Sequence, residues 1–166
     1  MKSFLTFKIL MLVLIALSIS SCKKEDNNPV QNTMTLNGSP FAVSTASLMG
    51  VSIGGEGHVT ITLAGVTGAT SNILTIDIEY FVNQPIEGNY AFPQTGTARF
   101  LDDWLTNYAQ FNGASSNTVN LEAGSVDIAD NGNNNYTITM DMTMLDGKVF
   151  KGTYTGNFVV QFNNGK

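Results

Sequence analysis

Few residues in this chain of 166 offer reactive chemistry: one His, one Cys and one Trp. His58 follows Gly57 and opens an alternating run, on the polar side opposite Val59 and Ile61. A histidine base needs a nucleophile and an orienting acid beside it, and His58 reads instead as an exposed strand-end side chain. Asp102, Asp103 and Trp104 form the most suggestive group. Carboxylates accept hydrogen bonds from sugar hydroxyls, and an indole face stacks on sugar C–H groups. Glycoside hydrolysis asks for two acids about 5 to 9 Å apart across a cleft. Neighbours on a strand point to opposite faces, which makes Asp102 and Asp103 a poor catalytic pair. The competing expectation is structural: Trp104, Leu101 and Leu105 plug one end of a core while the acids cap a turn.

Two further clusters read as structure. Asp127, Asp130, Asn131, Asn133 and Asn135 surround Gly132 with oxygens. Calcium wants six to eight oxygens in a particular spacing, which this run lacks, and Asn tolerates left-handed turns without any metal. No metal or cofactor is expected. Met140, Met142 and Met144 share one strand face. They can line a cavity for an apolar ligand, since Met adapts to irregular shapes, but filling the core opposite Phe150 and Tyr154 is the expectation.

The elements that position these residues have a period of two. Val59, Ile61 and Leu63 alternate with His58, Thr60 and Thr62. Leu74, Ile76, Ile78 and Tyr80 alternate with Thr75, Asp77 and Glu79. Tyr136, Ile138, Met140, Met142 and Met144 alternate with Thr137, Thr139, Asp141 and Thr143. Turn signals separate the runs, among them Asn37-Gly38, Gly65 to Gly68, Asn131-Gly132 and Asp146-Gly147. One polar and one apolar face per strand means antiparallel sheets half exposed to water. The expected fold is all-β: an antiparallel sandwich or a partly closed barrel of about 8–10 strands over residues 33–166.

One register follows from the pattern. A two-residue loop at Asp146-Gly147 sets Met142 opposite Lys151 and wastes both apolar stripes. A three-residue loop, Leu145 to Gly147 with Gly147 left-handed, sets Met144 opposite Lys148, Met142 opposite Phe150 and Ile138 opposite Tyr154. A one-residue slip turns every side chain over, so the period demands the three-residue loop with its glycine bulge.

Composition excludes several classes. The chain has 8 Lys+Arg and 13 Asp+Glu, a net charge of −5, which argues against nucleic acid, whose phosphates need clustered cations. A single Cys rules out an internal disulfide and any multi-Cys zinc site.

The N-terminus reads as an export signal. Lys2 and Lys8 precede an apolar run, Ile9 to Ile19, too short for an ordinary spanning helix. Ile19-Ser20-Ser21-Cys22 resembles the lipobox of bacterial lipoproteins. That resemblance implies diacylglycerol on the Cys22 sulfur, cleavage before Cys22 and acylation, as with palmitate, of the new amine, which together anchor stably. Residues 1–21 are then the signal peptide, and 22–32 the acylated Cys with a flexible polar tether. Cleavage removes Lys2 and Lys8 and no acid, leaving six basic and 13 acidic residues. So acidic a domain does not adhere to anionic lipid, and the lipid does the anchoring. Lys23 rather than Asp after Cys22 favours the outer membrane, and Lys23-Lys24-Glu25-Asp26 is similar to a surface-export tag, so the domain faces the periplasm or the cell surface.

Met34-Thr35-Leu36-Asn37-Gly38, Ile86-Glu87-Gly88-Asn89-Tyr90 and Gly152-Thr153-Tyr154-Thr155-Gly156-Asn157-Phe158 resemble segments of small Bacteroidota lipoproteins of unknown function. The likeness spans most of residues 33–162 and brings no established activity or site. The expected function is a non-enzymatic binding or structural domain at the cell envelope, with a glycan or an envelope protein as partner. Trp104, Asp102 and Asp103 are the candidate contacts. The alternatives are a lipocalin-like carrier of a small apolar ligand and a carboxylate-based glycan hydrolase.

Overall fold

The computed structural model describes residues 30–53, 56–81 and 84–163; the expected signal peptide and Cys22 lie outside them. In chain order the strands are β1 (Gln31–Asn32), β2 (Thr35–Leu36), β3 (Ser39–Pro40), β4 (Thr45–Ile53), β5 (Glu56–Thr67), β6 (Thr70–Phe81) and β7 (Gly88–Phe92). They continue as β8 (Arg99–Phe100), β9 (Asn107–Asn112), β10 (Ser115–Asp130), β11 (Asn135–Met144), β12 (Val149–Asn157) and β13 (Val159–Asn163). The fold of the described residues is all-β, as expected, and does not close into a barrel; it has 13 strands where about 8–10 were expected, and it is mixed rather than purely antiparallel, since β13 runs parallel to β4 and β8 to β7. Four of the 13 strands have only two residues, and the other nine have five or more.

The strands form two halves joined by β10. One half runs β13, β4, β5, β6, β9 and the start of β10. The other runs from the end of β10 through β11 and β12 to β2 and β3, with β7 also on β10. The handover falls at a bulge. Leu121 lies opposite Met144 and Ala123 opposite Thr143, so Glu122 is the extra residue. Bulges bend a strand and re-aim its side chains, and this one lets a single strand serve both halves.

The apolar faces of the two halves meet in one core. Leu48, Val59, Ile61, Leu63, Leu74, Ile76 and Ile78 are fully buried on one side, with Ile138, Met142, Met144 and Phe150 equally buried on the other. Tyr108 of β9 meets Phe150 of β12 edge-to-face at 5.0 Å, and Phe41 packs on Phe150 at 5.4 Å, the geometry that ring quadrupoles favour. Met140, Met142 and Met144 are core filler. Tyr90 is buried too. Its hydroxyl donates to the Ile86 carbonyl at 2.8 Å, and the Arg99 guanidinium stands 4.4 Å from its ring centre. Burial pushes the Tyr90 phenol up from 10.0 to about 12, with Arg99 pulling the other way.

The β11–β12 register is the one the side-chain period demands. Met142 faces Phe150, Met140 faces Gly152 and Ile138 faces Tyr154. The Met144 amide donates to the Lys148 carbonyl at 2.8 Å, and Gly147 has φ 79°. The outer face of this hairpin is a ladder of polar pairs: Thr137 with Thr155 at 2.9 Å, Thr139 with Thr153 at 3.0 Å, and Lys151 with Asp141 at 2.7 Å.

One expectation shifts at the N-terminal side. Gln31 and Asn32, the last residues of the expected tether, pair with Thr155 and Tyr154 as β1. The chain then passes so close over β12 that a Cβ on Gly152 would lie 2.4 Å from the Thr33 carbonyl oxygen.

Candidate functional site

Construction of the site starts from a buried carboxylate. Asp77 lies on the polar side of β6, yet it is only 2% exposed. A buried charge requires partners, and Asp77 has them. Its Oδ1 is 2.6 Å from Nδ1 of His58, and its Oδ2 accepts from the Thr60 hydroxyl at 2.6 Å. The two-residue loop between β5 and β6 arranges this. Thr67 pairs with Thr70 around Gly68 (φ 63°), which sets Thr60 opposite Asp77 and His58 opposite Glu79. His58 therefore reaches Asp77 along the diagonal, a distance long side chains span. Its side chain is 48% exposed, so it is a strand-face residue as expected, but one tied to an acid that the sequence reading treated as ordinary solvent-facing polar surface.

What buries Asp77 is the segment Leu101–Thr106. Strand β9 pairs with β6 only from Thr70 to Thr75, which leaves the edge of β6 free beyond that point. The segment fills it. The Asp77 amide donates to the Thr106 hydroxyl at 3.0 Å, and the Asp77 carbonyl accepts from the Asp102 amide at 2.9 Å. Leu101, fully buried, bridges to Ile78 and plugs the core. Asp102 then caps the turn: its Oδ1 accepts from the Trp104 and Leu105 amides at 2.9 and 2.8 Å, the local bond that Asp side chains make in turns.

The plug expectation thus holds for Leu101 alone. Trp104 is 79% exposed and Leu105 42%. Asp102 is a positioning residue whose carboxylate faces the turn. Asp103 and Trp104 instead line an open groove of about 600 Å³ with Phe92, Asn120, Leu121, Glu122 and Leu145. The groove lies where β10 changes halves, and the bulge supplies Glu122. Three bonds lace its walls together. Asn120 Nδ2 donates to the Trp104 carbonyl at 2.7 Å, the Leu145 amide to the Asn120 carbonyl at 3.0 Å, and the Leu121 amide to the Thr106 carbonyl at 3.0 Å. A groove with an exposed indole, an exposed Leu and two carboxylates offers both a flat apolar surface and hydrogen-bond acceptors.

Of the three residues that sequence reasoning grouped, Asp103 and Trp104 line this groove and Asp102 does not, while Phe92, Asn120, Glu122 and Leu145, remote in sequence, were missed. It also missed Asp77, although the β5–β6 loop carried the signal. Atoms of His58, Asp77 and Asp102 suited to metal binding lie within 4.8 Å of one another. Each of these carboxylates already serves a protein donor, Asp77 through both oxygens and Asp102 through Oδ1. The Asn-rich turn likewise spends its oxygens internally. Asp130 Oδ1 accepts from the Gly132 amide at 2.7 Å, and Asn135 Oδ1 accepts from Asn131 Nδ2 at 2.8 Å. Asn133 and Asn134 take positive φ, 54° and 60°, as Asn tolerates.

No family model matches the chain, and neither does any curated protein or solved structure.

Proposed function

We propose that this chain is a lipid-anchored cell-envelope protein of the outer membrane whose β domain binds carbohydrate through the Trp104 groove. Trp104 carries the reading. A large apolar ring that is 79% exposed, held there by hydrogen bonds to its own backbone and flanked by carboxylates, is suited to stacking on a sugar ring. The carrier alternative loses support, because the methionines it would use are packed into the core, whereas the groove opens to solvent elsewhere. The lipobox-like Ile19-Ser20-Ser21-Cys22 supports the anchor.

Glycan-array binding of the full chain, with Trp104→Ala as control, tests the binding half. Loss of binding in the variant is the expected result, and binding unchanged by the substitution refutes it. Palmitate labelling of wild type and Cys22→Ser tests the anchor: label on wild type alone is expected.

A second reading rests on Asp103 and Glu122, two carboxylates lining one groove. A hydrolase uses such an arrangement. Release of new reducing ends from a bound glycan would favour it over simple binding.

A further inference from the structure

The groove is charged on one side of the ledger only. Asp103 and Glu122 are among its seven lining residues, and none of the seven is basic. Neither carboxylate joins an ion pair among the described residues. The three Lys and Arg side chains of the described residues are all engaged elsewhere. Arg99 donates to the carbonyls of Pro85 and Glu87 and stacks on Tyr90. Lys148 is bound to Asp146, and Lys151 to Asp141. An acidic saccharide would bring its carboxylates against Asp103 and Glu122 with no free cation among the described residues to receive them. An ammonium group meets the opposite situation: two unpaired carboxylates to accept its protons, and an indole face that attracts cations.

From this charge complementarity we infer that the groove takes a saccharide bearing free amino groups, a glucosamine-type oligomer, in preference to its N-acetylated form, and rejects uronate oligomers. The inference rests on the carbohydrate reading and names its substrate class. The recognition is geometric as well as electrostatic. Trp104 receives the C–H face of one ring. Asp103 leaves the same turn one residue earlier, and Glu122 reaches the groove from the bulge of β10, so both carboxylates line the groove that holds the ring. The bulge matters because without the extra residue the side chains of β10 would keep strict alternation.

The chain's single Trp gives a direct readout. The full chain in detergent is titrated with glucosamine, N-acetylglucosamine and galacturonate oligomers of equal length, and Trp104 fluorescence is followed in mildly acidic buffer where the amines are protonated. The glucosamine oligomer is expected to bind about fivefold more tightly than the N-acetylated one, the scale of two solvent-screened ion pairs, and the galacturonate not at all. Raising the salt concentration should shrink that preference in the wild type, since exposed charges are screened. Asp103→Asn with Glu122→Gln should bring the two affinities together. Equal binding of the two amino-sugar forms, or binding of galacturonate, overturns the charge inference and leaves the carbohydrate reading standing. Failure of every saccharide overturns both. A lysine oligopeptide of matched charge binding as tightly as the glucosamine oligomer overturns the sugar assignment and leaves a site for cationic peptides.

Discussion

The β11–β12 hairpin and the segment Leu101–Thr106 solve opposite problems. In the hairpin most side chains have a counterpart: Met142 has Phe150, Ile138 has Tyr154, Thr139 has Thr153. Its apolar face is closed against the other half and its polar face is laced across the strands. In Leu101–Thr106 only Leu101 and Thr106 are buried, while Trp104 and Leu105 are turned outward. This segment is held by its backbone, through Asp77 and the cap of Asp102, and its side chains are left free for something else. The contrast teaches where stability and recognition are kept. Substitutions in the hairpin should cost folding energy, and those at Trp104 should cost binding. Asp77 of β6 lies in neither region and shares in both tasks: its buried carboxylate binds His58 and Thr60, and its backbone holds the segment in place.

Urea unfolding and Trp104 fluorescence together test that division. Phe150→Ala removes a ring that meets both Phe41 and Tyr108; it should destabilise by about 4 kcal/mol and leave saccharide affinity unchanged in the folded fraction. Asp77→Ala strips His58 and Thr60 of their acceptor and should cost about 2 kcal/mol, but it keeps the backbone bonds to Thr106 and Asp102, so Trp104 anisotropy should hold at the wild-type value. A fall in Trp104 anisotropy in that variant would show that the Asp77 carboxylate, and not its backbone alone, holds the segment. A further loss is expected from alkali. The buried Tyr90 phenol keeps its proton until about 12, whereas in the unfolded chain it ionises near 10.0. Unfolding therefore releases a proton between those values, and stability falls as pH rises through that window; Tyr90→Phe should flatten this part of the profile. Asp102→Ala removes the cap, at about 1 kcal/mol, and should lower Trp104 anisotropy. Trp104→Ala should change stability by no more than about 0.5 kcal/mol while abolishing binding.

The same contrast explains what was legible beforehand. The hairpin register could be derived because both strands carry long, pure stripes, and only one loop length brings apolar to apolar. The β5–β6 loop was equally informative about Thr60 and Asp77, but burial of Asp77 comes from Leu101–Thr106, more than 20 residues away in sequence, through backbone bonds that leave no periodic trace. That is also why Asp103 and Trp104 could be singled out by residue type while Glu122 could not. It is an ordinary acid in a strand until the bulge turns it into the groove. Asn32 is a similar case. Its composition suggested tether, yet its side chain donates to the Phe41 carbonyl at 2.8 Å, a partner no local pattern announces.

The two-residue β1 has a mechanical consequence. Any tug transmitted from the residues before Val30 arrives first at Gln31 and Asn32, which are held by a short run of bonds to β12 and by the Asn32 side chain on the Phe41 carbonyl. Gln31 and Asn32 are exposed and few bonds hold them, so they should let go while the buried Phe150 and its neighbours stay packed. The domain thus has a few residues of slack that lengthen under load, and the Trp104 groove, walled by β10 and the Leu101–Thr106 segment, keeps its shape while they do.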